Sequence, residues 1–280
     1  MPQPYRKFTF TFDSGERFGS CEEIVGLGER ISADPEEETP ITAVTLVGFE
    51  LDKHFTRCSR RTRVQLESMR IVAQNRKGQQ LTELYGAPSG TIDWRQREFE
   101  QGKVDWELDF LFSSRPSAEA LQVWKLWENG LPLRANEWVD LSAELQSGWL
   151  EAVRIKGYSE AEYVRGDAPI EIDMRGVRDR NTFFLALGEA MIGPGGYYGH
   201  EALSLDDLLC CEPGLPAPDK LVLVYDLPSG GDTRPGEDLF LNQNTKEARE
   251  LRRLFDKYGV TLTPIDRTSQ AVYRKENESP

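Results

Sequence analysis

The residues best equipped to act on another molecule sit in the stretch MIGPGGYYGHEALSLDDLL, residues 191–209. It holds four glycines, two adjacent tyrosines, His200 and the carboxylates Glu201, Asp206 and Asp207. From Asn181 to Asp219 the chain carries six carboxylates, Glu189, Glu201, Asp206, Asp207, Glu212 and Asp219, with no lysine or arginine. Bond-breaking chemistry needs more than this. No G-x-S-x-G nucleophile motif occurs, and neither His54 nor His200 has an H-x-x-x-H or cysteine spacing that could hold a metal. The glycine run lacks the lysine and the serine or threonine of a phosphate-binding loop, and the acids beside it repel phosphate. Recognition is what remains: an acidic, tyrosine-bearing surface suited to a positively charged partner site. No catalytic residue, metal or cofactor is expected.

Each residue type has a physical reason to be there. Glycines at 193, 195, 196 and 199 let the backbone take positive φ and approach a neighbour closely. Tyr197 and Tyr198 offer flat amphipathic area of the kind enriched in interface hot spots, and one of the two is expected to pack inward. The segment after them reads as a helix around 203–211. At 100° per residue, Leu205, Leu208 and Leu209 form its buried stripe, and Asp207 points away from them. Asp206 lies on the flank. Leu203 shares the outward side with Cys210 and Cys211, and Glu201 stands just before the helix as a second carboxylate. The expected contact set is therefore Tyr197, Tyr198, Gly199, His200, Glu201, Leu203, Asp206 and Asp207.

The elements that must carry this set follow from periodicity. FTFTF (8–12), TAVTLVGFEL (42–51), RVQLESMRIVAQ (63–74) and KVDWELDFLF (103–112) alternate or are rich in β-branched and aromatic residues, as strands are. In the last, Val104, Trp106, Leu108, Phe110 and Phe112 should line one face, and Asp105, Glu107 and Asp109 the other. RPSAEALQVWKLWENG predicts a helix ended by Gly130, and DLSAELQSG a short helix opened by Asp140. Residues 1–160 read as one β-rich α+β domain of unassigned role. The polar segment 161–169 reads as a linker. Beyond it come strand 170–174, helix 181–191 with Phe184, Leu187 and Met191 on one stripe, the helix at 203–211, and strand 220–226. A helix at 244–259 with an Asn244–Glu247 capping pattern and a strand at 260–265 complete the series. That order predicts a small parallel sheet with helices packed on it over 170–266, and a loose tail over 267–280.

Bulk composition narrows the partner classes. The 280 residues carry a net charge of -13, with six tryptophans, nine tyrosines and thirteen phenylalanines to fill cores. Such a charge opposes bulk binding to nucleic acid or anionic lipid and suits a basic protein partner. No apolar run reaches the roughly 18 residues of a membrane span, and MPQPYRKFTFTF has no signal-peptide core, so a cytoplasmic protein with reduced thiols is expected. The basic cluster RCSRRTR (57–63) is expected to pair with nearby carboxylates.

The glycine–tyrosine–tyrosine–glycine segment, the acidic helix after it, the LVLVYD strand and the terminal helix–strand pair together resemble the barstar family of ribonuclease inhibitors, over roughly residues 168–266. Gly196, Tyr197, Tyr198, Gly199 and Asp207 match the family's contact segment. The resemblance implies an α/β barstar-like fold for the C-terminal domain. It also implies an immunity function, in which the loop and the following helix plug a toxin ribonuclease, carboxylates standing where substrate phosphates would lie. Asp207 matches the family's principal contact aspartate. The sequence departs from the pattern at Leu203, where another aspartate is usual, and at Glu201 and Ala202, where asparagine and leucine are favoured. A regulatory protein that captures a different basic partner without inhibiting it is the alternative that these departures leave open.

Overall fold

The computed structural model describes residues 5, 7–28, 41–58, 63–93, 99, 102–157, 169–211, 218–226, 245–271 and 274. The acidic loop at 34–40, most of the basic cluster at 57–63 and all of the expected linker but Pro169 lie outside them. The chain divides into two compact units, Met1–Leu131 and Pro132–Pro280.

The first unit is built on β-strands β1 (Phe8–Phe12), β2 (Arg17–Cys21), β3 (Glu23–Val25), β4 (Thr42–Leu51), β5 (Arg63–Gln65), β6 (Met69–Gln74), β7 (Gln80–Pro88), β8 (Thr91–Asp93) and β9 (Val104–Phe112). Six of them run in the order β2-β1-β6-β7-β9-β4, all antiparallel, and pairing of β2 with β4 closes them into a barrel. Strand β3 adds to β4. Strands β5 and β8 form a separate ladder, so the expected continuous strand at 63–74 is broken in two. Closure removes the open edges a flat sheet would leave. Phe8, Phe10, Phe18, Phe49, Ile71, Leu84 and Phe110 fill the interior. Along β9 the alternation holds: Phe110 and Phe112 are buried, while Asp105, Glu107 and Asp109 are exposed. Helix α1 (Lys53–Cys58) follows β4, and helix α2 (Ala118–Leu126), capped by Ser117, buries Val123 and Trp124.

The second unit begins earlier than expected. Helix α3 (Ala143–Lys156) runs 14 residues from its Ser142 cap to Gly157, well beyond the short helix expected from the sequence. It buries Trp149, Leu150, Ala152 and Val153 and packs on α4 (Arg180–Ile192). Residues 132–157 therefore belong with the C-terminal unit. The domain boundary near 160 is corrected to Leu131–Pro132, because this helix buries its apolar face against α4.

Strands β10 (Ile170–Asp173), β11 (Lys220–Tyr225) and β12 (Thr261–Asp266) form the expected three-stranded parallel sheet in that order. Parallel neighbours need crossovers, and the helices α4, α5 (Ala202–Cys211) and α6 (Lys246–Lys257) lie in those connections. Central β11 is buried from Leu221 to Tyr225, as a strand covered on both faces must be. Pro264 sits on edge strand β12, where its missing N–H is tolerated.

Helix α4 opens with a capping box: the Asp179 carboxylate accepts from the Thr182 N–H at 2.9 Å, and the Thr182 hydroxyl accepts from the Asp179 N–H at 3.0 Å. Instead of one stripe it buries Thr182 through Glu189 without interruption, the signature of a helix enclosed on all sides. Helix α6 is capped by Thr245, whose hydroxyl accepts from the Ala248 N–H. The Asn244–Glu247 cap is thus displaced by one residue.

The start of the tail is tied down where a loose chain was expected. Arg267 pairs with Asp173 at 2.5 Å and with Asp226, and Gln270 and Arg274 both bind Glu171. Cys21 is buried, and Cys210 is disulfide-bonded, which corrects the expectation of reduced thiols there.

Candidate functional site

The contact segment lies wholly in the second unit, between α4 and the end of α5. Its bend is held from beneath by close backbone packing. A Cβ on Gly188 would stand against the Gly196 carbonyl oxygen, and one on Gly196 would come within 2.5 Å of Ile192 and 2.7 Å of the Gly188 oxygen. Gly196 therefore serves close approach, while Gly193, Gly195 and Gly199 hold φ of 113°, 65° and 88°.

A buried carboxylate anchors the same region. Glu189 accepts from the Asn136 N–H at 2.7 Å, and Asn136, at φ 67°, donates from its side chain to Asp173 at 2.9 Å. Burial pushes the Glu189 carboxyl above its ordinary range, against the opposing pull of the Asn136 N–H, the Trp138 side chain and the Gly195 N–H. One side chain of α4 thus reads both the 132–140 loop and the glycine bend.

The two tyrosines part company. Tyr198 is 1% exposed and belongs to the core, so its place in the contact set is corrected; Tyr197 is the half-buried member of the pair. Gly199 is also buried, where an added Cβ would meet Phe184 at 3.2 Å and Leu205 at 3.4 Å, so it shapes the bend and offers no contact surface. Tyr197 is fixed by His200: its hydroxyl and His200 Nδ1 are hydrogen-bonded at 2.7 Å. His200 Nε2 lies 3.8 Å from Glu201 Oε1. Burial lowers the imidazole pKa, helped by Arg154 and Arg180 and opposed by Glu201. Burial also raises the Tyr197 phenol above its usual value.

Helix α5 starts on a side-chain turn in which the Ser204 hydroxyl accepts from the N–H groups of His200 and Glu201 at 2.9 and 3.1 Å. From there the expected phase is observed. Leu205, Leu208 and Leu209 are buried, Asp207 is exposed, and Leu203 is 67% exposed one helical turn before it. Cys210 is exposed on the same side.

The two neighbouring acids differ in what holds them. Asp206 is bound to α6, where Lys257 Nζ and the Tyr258 hydroxyl each donate to its Oδ1 at 2.7 Å. The lysine first and the tyrosine second pull its carboxyl below the ordinary range. Among the described residues Asp207 makes no ion pair and no side-chain hydrogen bond, and Glu201 has only the distant His200. Nothing in the window 181–219 hints that Arg154 of α3 and Arg180 at the start of α4 come close enough to act on His200. Only the return of α3 against α4 brings the first of them there.

What this arrangement can do is present charge and contact area. Among the described residues no three His, Cys, Asp or Glu side chains gather as a metal would require, and no helix is long and apolar enough to cross a membrane. No family model matches the chain, and neither a curated protein nor a solved structure does so.

Proposed function

We propose that this chain is an immunity protein whose second unit binds and occludes the active site of a basic toxin enzyme, in the first place a ribonuclease, within the cytoplasm. Asp207 carries the reading. Its carboxylate stands on the outward side of α5 with no cation among the described residues to neutralise it, whereas Asp206 beside it is already satisfied by Lys257 and Tyr258. Such a carboxylate on a helix is open to a cationic cleft, and desolvation in the complex strengthens that pairing. Tyr197 and Glu201 lie just ahead of it in the same segment and add a flat aromatic and a second acid. The resemblance of the sequence over residues 168–266 to the barstar family supports the same reading. Inhibition by occlusion needs no cofactor and no catalytic residue.

Exposed Leu203 favours a second reading, a regulatory protein that captures another basic partner, because an apolar side chain replaces a charge one turn before Asp207. Titrating the full chain into a panel of small basic bacterial ribonuclease domains separates the two. Stoichiometric loss of RNA cleavage by at least one of them is the expected result. Binding without loss of cleavage supports capture instead. Neither binding nor loss of cleavage across the panel, at a molar excess of this chain, overturns both.

A further inference from the structure

The tyrosine of the proposed contact surface is not free to move: its hydroxyl is tied to an imidazole nitrogen at 2.7 Å, and that imidazole is itself part of the surface. The partners around His200 decide which nitrogen carries the proton. Nε2 faces the Glu201 carboxylate at 3.8 Å, which favours a proton there and leaves Nδ1 as the acceptor for the Tyr197 hydroxyl. The His200 backbone is pinned to Ser204 at the start of α5, so the ring cannot escape by moving its main chain. Charged groups reach it from three sides: Glu201 on its own loop, Arg154 on α3 and Arg180 on α4.

A second proton on this ring does two things together. It converts Nδ1 from acceptor to donor, so the Tyr197 hydroxyl must turn its proton elsewhere. It also adds a positive charge to a ring on which Arg154 and Arg180 already act, at a surface that faces a cationic partner. Among the described residues that act on the ring, Glu201 alone offsets it.

We infer that the binding surface is proton-gated: neutral His200 positions Tyr197 for contact, and protonation of His200 in mild acid releases the partner. This rests on the reading of the second unit as an inhibitor of a basic enzyme and names how that same site is regulated. His200 acts through Tyr197 and through its own charge. It is a positioning residue.

The sign follows from linkage. The complex binds one proton fewer than the free protein once pH falls below the His200 pKa of the free chain, so affinity falls with pH, by roughly ten-fold per pH unit at the limit. Burial holds that pKa below the ordinary histidine value, which puts the gate on the acid side of neutrality.

Binding is measured by calorimetry from pH 8 to pH 5 against the ribonuclease that the full chain inhibits most strongly, for wild type, His200→Gln and Tyr197→Phe. Glutamine can still accept from the tyrosine hydroxyl but cannot gain a charge. Each protein is scaled to its own affinity at pH 8, which removes the pH-independent effect of the substitution, and titrations belonging to the ribonuclease cancel in the ratio of wild type to variant. Wild type is expected to lose at least five-fold more affinity than His200→Gln by pH 5, with Tyr197→Phe following wild type in part, since its His200 still charges. Parallel curves for wild type and His200→Gln overturn the gate and leave the inhibitor reading standing. Failure of the full chain to inhibit any ribonuclease of the panel at pH 8 overturns the inhibitor reading, and the gate with it.

Discussion

Asp206 and Asp207 are chemically identical neighbours with opposite surroundings, and a substitution at each should separate structure from recognition. The charge of Asp206 is already engaged by Lys257 and Tyr258. Its replacement by alanine should change partner affinity by less than about 1 kcal/mol, the usual range for an exposed pair. Asp207→Ala removes a carboxylate that has no internal partner among the described residues, and should weaken binding by about 2–5 kcal/mol. That scale is the one known for charge pairs at the barnase–barstar interface, transferred to this chain by analogy. Competitive RNA-cleavage assays on both variants measure the difference, and equal losses for the two would remove the outward side of α5 from the interface. Asp207 was legible in the sequence because a helix with leucines at 205, 208 and 209 leaves residue 207 only one direction. The partners of Asp206 were not, because Lys257 and Tyr258 are far along the chain and meet it only through packing of α5 on α6.

At the level of elements, the bend that presents Tyr197 depends on two glycines of different kinds. Gly188 lies inside α4, where it costs roughly 1 kcal/mol relative to alanine in an exposed helix. Here that ordering is reversed by contact, since the space for a Cβ is occupied by the Gly196 carbonyl. Gly188→Ala should destabilise the second unit by about 1–3 kcal/mol, as overpacking of a filled core does. Urea unfolding followed by tryptophan fluorescence reads the loss, and a variant as stable as wild type would show that the bend can lift off α4 without penalty. The sequence marked the bend by its own glycines but passed over Gly188, because a glycine within an apolar helical run carries no sign of what lies opposite. A similar blindness affected the barrel. RFGSC and QLTELYGAP become β2 and β7, yet glycines at 19 and 86 and a proline at 88 interrupt their alternation. Those glycines admit the rings of Phe49 and Phe110, which is a tertiary reason no local pattern displays. Where alternation, an apolar run or helical phase was uninterrupted, as in β9, β11 and α5 respectively, residue-level exposure followed the pattern.

For the whole molecule, the decisive feature is where the second unit begins. The polar run at 159–169 looks like a linker, and α3 before it looks like the end of a β-rich domain, but α3 turns its buried face to α4. The loop ahead of α3 contributes as well: Trp138 is fully buried, and the Asn136 N–H satisfies Glu189 inside the same unit. A fragment starting at residue 161 would leave α4 without Trp149, Leu150 and Val153, and Glu189 buried without its hydrogen-bond donor. Losing even two such side chains amounts to several kcal/mol, comparable to the whole stability of a domain this size. Residues 132–280 should therefore melt cooperatively by circular dichroism, while residues 161–280 should show no cooperative transition. The same pair locates the inhibitory surface. With Tyr197, Glu201 and Asp207 all in the second unit, residues 132–280 should inhibit within about ten-fold of the full chain, a difference of roughly 1.4 kcal/mol. A larger loss from a cooperatively folded fragment would assign part of the contact to the barrel, whose exposed Asp105, Glu107 and Asp109 are the first residues to substitute.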